Sequence, residues 1–143
     1  MIFQADSVYG YTTLMLKVEE GNLREVKAAR QKTQKEDVNF QNKAGQAALT
    51  IAARCGFCEI AEYLIMEGAN IDITNKAGQS PLFLACWYNR FDMVELLLNY
   101  HANINLPDAR GWTPLMVACH NTNYELIYFL LSHNADVRSI DRV

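Results

Sequence analysis

Cys55 and Cys58, in the stretch Cys-Gly-Phe-Cys, are the side chains of this 143-residue sequence best spaced for chemistry. A pair three residues apart can supply half of a zinc site or cycle between dithiol and disulfide. Zinc needs two further convergent ligands, and there is no second Cys-x-x-Cys; His101 and His133 fall on other parts of the chain. A thioredoxin-like redox pair belongs in a strand–helix–strand setting, and no such alternation surrounds these residues. Packing explains Cys58 instead, and Cys55 is expected to be at most an exposed, mildly reactive thiol. Cys86 and Cys119 lie among apolar neighbours and are expected to pack as small hydrophobes. His120 beside Asn121 is a lone imidazole on a surface. No Ser/His/acid set, phosphate loop or His-Glu-x-x-His motif accompanies it. The sequence predicts no catalysis, no metal and no cofactor.

The totals narrow the classes further. Half of the residues are hydrophobic and a fifth are charged, the balance of an ordinary folded domain. A formal net charge of −3 is mild. The densest basic stretch, Arg24 to Lys43, is interrupted by Glu25, Glu36 and Asp37, which argues against a nucleic-acid partner. No apolar run approaches the roughly 18 residues of a membrane span, and "MIFQADS" has no signal-peptide grammar. Four cysteines without secretion signals, and no Asn-x-Ser/Thr acceptor, favour reduced thiols in cytoplasm or nucleus.

The elements that must position these residues come from a repeat. "NKAGQAAL" at 42–49, "NKAGQSPL" at 75–82 and "DARGWTPL" at 108–115 restate one phrase every 33 residues, and Leu14 precedes Leu49 by 35. In each unit a turn containing glycine (Gly10, Gly45, Gly78 or Gly111) leads into a short helix. Small residues occupy the middle of three of these helices: Ala52–Ala53, Ala85–Cys86 and Ala118–Cys119. A second helix comes next, at 58–66, 91–99 and 124–132. Ile60, Ala61, Leu64 and Ile65 recur at helical spacing, as do Met93, Val94, Leu97 and Leu98. Helices of about ten residues are marginal alone, so these faces require cover from neighbouring units. Gly, His or Asn at the endings 67–72, 100–105 and 132–137 tolerate the left-handed conformation in which such helices stop.

The 33-residue period, the Gly-x-Thr-Pro-Leu turn of "GWTPL" at 111–115 and the "GANI" ending resemble the ankyrin repeat. The resemblance runs over about residues 7–143. It implies an all-α solenoid of stacked helix-turn-helix units with β-hairpin-like turns. Residues 1–40 read as an amino-terminal capping repeat, and 41–73, 74–106 and 107–139 as internal repeats. Residues 140–143 begin a fifth turn or a tail. The family's signature His is replaced by Met15, Thr50, Phe83 and Met116, which implies loss of its turn hydrogen bond, with Thr50 as a partial substitute. Glu25 and Arg30 stand where later units have apolar residues, so the first unit reads as polar-capped. The last unit keeps Leu126, Ile127, Leu130 and Leu131 and adds Tyr128. That end is expected to continue into more chain or to meet a partner.

The resemblance also implies a concave face. Carried over position by position, it holds Tyr11, Glu19 and Glu20; Lys43, Gln46, Arg54 and Cys55; Lys76, Gln79, Trp87 and Tyr88; and Arg110, Trp112, His120 and Asn121. Trp87, Tyr88 and Trp112 put large aromatics at positions that are usually solvated, which favours a docking surface. The implied function is a non-catalytic module that binds a protein or peptide. Arg54, Lys76 and Arg110 would meet acidic flanks. One alternative is a methyl-lysine reader with Asp108 as the acid; another is a structural scaffold segment of a larger protein.

Overall fold

The computed structural model describes residues 9–33 and 36–138. The start of the first unit at 7, residues 34 and 35, and the fifth turn at 140–143 lie outside them. Among the described residues the fold is all-helical, in four pairs: α1 (Thr13–Glu20) with α2 (Leu23–Lys32), α3 (Ala48–Cys55) with α4 (Cys58–Met66), α5 (Pro81–Trp87) with α6 (Phe91–Asn99), and α7 (Pro114–His120) with α8 (Tyr124–Ser132). The second helices of the last three pairs have the bounds expected from periodicity. None of these helices is long and apolar enough to cross a membrane.

Local chemistry starts and stops each helix. The side chains of Thr12, Ser80 and Thr113 accept from the N–H groups of Met15, Phe83 and Met116, answering donors that a helix start leaves without partners. Pro81 and Pro114 occupy first-turn positions where no N–H is needed. The missing signature His leaves two side-chain replacements. The Thr50 hydroxyl donates to the Ala47 carbonyl at 2.7 Å and accepts from its N–H at 2.9 Å. Met116 Sδ accepts from the N–H of Thr113 at 3.3 Å. The endings behave as expected: Gly68, His101 and Asn134 all have positive φ.

The turns between units are held by an Asx pattern with the same 33-residue period. The side-chain oxygen of Asn42 accepts from the N–H groups of Ala44 and Gln46, that of Asn75 from Ala77 and Gln79, and that of Asp108 from Arg110 and Trp112. Backbone bonds then tie each turn to the one before it: Lys76 N–H to Ala44 O, and Ala109 N–H to Ala77 O. These are the hairpin-like turns, and no strand forms among the described residues.

The helix pairs stack in a row. α1, α3, α5 and α7 pack in succession, with α2, α4 and α6 packed in succession behind them. Ala52, Ala53, Ala85, Cys86 and Ala118 are sealed from solvent, because residues this small let successive backbones approach. One hydrophobic cluster runs from Leu14 to Ala135, with no closed centre. Cys86 is sealed, and Cys119, half-buried, packs against the same cluster. In the first unit the Arg30 guanidinium reaches Glu67 of the second unit at 3.2 Å and the Glu36 carbonyl at 2.7 Å.

Candidate functional site

The ends of α5 and α7 and the turn before α7 bring four planar side chains into a row. Phe83 is fully buried and stacks on Trp87, with ring centroids 6.2 Å apart. Trp87 stacks on His120 of the next unit at 6.0 Å. His120 meets Trp112 edge-on at 5.4 Å, and the Arg110 guanidinium lies 5.2 Å from the Trp112 ring. Asp108 fixes the far end: its side chain is 1% exposed and pairs with Arg110 at 3.0 Å. The row is thus anchored in the core at Phe83 and in a turn at Asp108. Both indoles are partly exposed and His120 is exposed.

The remaining residues of the expected face divide by what they already do. Tyr88, at 46% exposure, stands next to the row and enters no ring pair among the described residues. Trp87, Tyr88 and Trp112 therefore do not form three mutual walls: His120 separates the indoles. Asn121 donates to the carbonyl of Trp87 at 3.2 Å and fastens α7's end to α5's end. Gln79 accepts from Asn75 within its turn, and the Tyr11 hydroxyl donates to Gln46. Arg54 is paired with Glu19 at 2.7 Å. Lys76 is exposed. Periodicity alone does not reveal the part played by Asp108. The clue is its place in the turn phrase, where Asn42 and Asn75 perform the same task.

The cysteines supply no metal centre among the described residues, where no three His, Cys, Asp or Glu side chains converge. All four are free thiols. Burial pushes the Cys86 thiol well up. Burial, and then the charge of Asp92, push Cys58 up. Both shifts oppose thiolate chemistry.

A family model described as ankyrin repeats in three copies matches residues 2–75 and 59–141. The chain belongs to the ankyrin repeat family. Ankyrin repeats are in general modules of protein–protein interaction, typically without catalysis. Among curated proteins none matches this chain. In ankyrin terms, the row from Phe83 to Arg110 spans the third and fourth repeats. It is built from the ends of their first helices and the hairpin-like turn between them.

Proposed function

We propose that this ankyrin chain binds a peptide or loop of another protein along its concave face, centred on Trp87, His120 and Trp112. The supporting observation is the anchored row itself: two partly exposed indoles and an exposed imidazole are held in place before any partner arrives. Aromatic side chains fixed in this way offer apolar area at low entropic cost. Exposed Lys76 and the Arg110 edge favour acidic residues flanking an apolar or aromatic anchor. A methylated lysine fits less well, because Arg110 already lies against Trp112 and the Asp108 carboxylate is committed to its turn. A cytoplasmic or nuclear setting is part of this reading, supported by the free thiols.

Peptides selected from a displayed library on the wild-type chain provide the test. Their affinities are then measured by fluorescence anisotropy on Tyr88→Ala, Trp112→Ala and the Trp87→Ala/Trp112→Ala double variant. An indole at the centre of the contact is worth about 2 kcal/mol or more, so each tryptophan replacement should weaken binding by roughly 30-fold. Far-UV circular dichroism checks the fold, and Tyr88→Ala leaves the ring row intact. Selected peptides that bind all folded variants equally would reject the site.

A further inference from the structure

Equivalent positions in successive repeats show how each unit is covered by the next, and what the fourth lacks among the described residues. Ala61 and Val94 are both 0% exposed, whereas Ile127, their counterpart in α8, is partly open. Phe91 packs edge-on against Phe129 of the following unit at 4.9 Å; its counterpart Tyr124 is 70% exposed. Leu131 is 37% exposed, where Ile65 and Leu98 are partly covered. Tyr128, at 73%, replaces Glu62 and Glu95. Glu62 marks the rim of a stacking interface, since it accepts from the Tyr100 hydroxyl of the next repeat at 2.8 Å. The α8 face thus continues the interface between repeats and extends it with a tyrosine where the inner units place an acid.

A register ladder between repeats stops at the same end. Side chains of Asn39, Asp72 and Asn105 accept from the backbone N–H groups of Asn70, Asn103 and Asp136, each in the following unit. The next position in that series is Arg138, a side chain that only donates and that turns back onto Asp136. The described series of Asn and Asp acceptors therefore ends at Asn105. The opposite end of the stack offers no complement either, because Arg24, Glu25 and Lys27 leave it charged and exposed. Facing copies of the α8 surface, by contrast, set ring against ring. The acid on α8, Glu125, occupies the position of Glu59 and Asp92, which stay exposed in the stacked units, outside the contact.

We infer that the α8 face, carried by Tyr124, Ile127, Tyr128 and Leu131, is the contact through which two copies of this chain pair about a two-fold axis. The pairing is independent of the concave site. Roughly 400 Å² of apolar surface per copy, about 800 Å² in all, lies below the standard size of a specific interface. The dimer is therefore weak and reversible.

Sedimentation velocity of the 143-residue chain over a wide concentration range is the test, with circular dichroism as the check on folding. The wild type should shift from monomer towards dimer as concentration rises. Tyr124→Glu/Tyr128→Glu, both at exposed sites, should remain monomeric throughout while keeping the wild-type spectrum. Trp112→Ala, on the concave face, should dimerise like wild type, so failure of the peptide site and failure of the pairing are read separately. A wild type that is monomeric at every concentration overturns the inference. So does a dimer that persists in the tyrosine double variant, or one lost in folded Trp112→Ala.

Discussion

Thr122 has φ +51°, a left-handed conformation at a β-branched residue, in the link between α7 and α8. The equivalent links hold Gly21, Gly56 and Asn89, all of which also have positive φ. Glycine has no Cβ to clash there, and asparagine tolerates the region far better than threonine. The strain adjoins Asn121, which fastens the aromatic row. Thr122→Gly is therefore expected to stabilise the chain by about 1 kcal/mol, read as a higher urea midpoint; an unchanged or lower midpoint would contradict the strain. The aromatic row itself was half legible from the residues. Spacing put Trp87 and His120 at equivalent positions of adjacent units, and the ankyrin resemblance put Trp112 on the same face, but nothing in the sequence says that His120 stands between the indoles. Nor does it say that Asp108 is consumed by two backbone N–H groups and Arg110, because such commitments depend on side-chain direction.

Among the elements, the turns are where one repeat constrains the next. Gly45 and Gly78 adopt left-handed φ, and a Cβ on either would lie 2.6 Å from Lys76 N or 2.5 Å from Ala109 N in the following turn. Gly111 has the same backbone conformation with no described residue within 4 Å of that point. Alanine at Gly111 should cost about 1–2 kcal/mol for the backbone conformation alone. Alanine at Gly78 adds a collision with backbone that cannot swing aside, so its loss should reach on the order of 3 kcal/mol or more. Urea denaturation of the two variants measures the difference, and equal losses would mean that the turns do not press on one another. Helix existence, and the boundaries of α4, α6 and α8, were readable because a short amphipathic phrase recurred with its turn. The different surroundings of Gly78 and Gly111 were not, since the two glycines share one motif and differ in whether the backbone of a described neighbouring turn lies against them.

At the scale of the whole molecule, the main contacts of each described helix pair are with the pairs before and after it, so stability is close to a sum of units and the contacts between them. Leu97 in α6 and Leu130 in α8 are equivalent residues, both 0% exposed. Judged by burial alone, leucine-to-alanine at either site costs about 2–5 kcal/mol. Position in the stack separates them. Leu97 lies in the third unit, between two neighbours, so its loss weakens contacts on both sides and should lower the urea midpoint of the entire chain. Among the described residues, Leu130 lies in a unit packed on one side only. Its loss should release α7 and α8 first, exposing Trp112 and His120 while α3 to α6 remain folded. Hydrogen exchange resolved by helix reads this directly. In Leu130→Ala the amides of α8 should exchange by local opening, and those of α3 and α4 should keep wild-type protection. In Leu97→Ala protection should fall along the whole row. Uniform loss of protection in both variants would show a single cooperative core in place of a stack, and would remove the physical basis for treating the α8 face as an unfilled repeat interface.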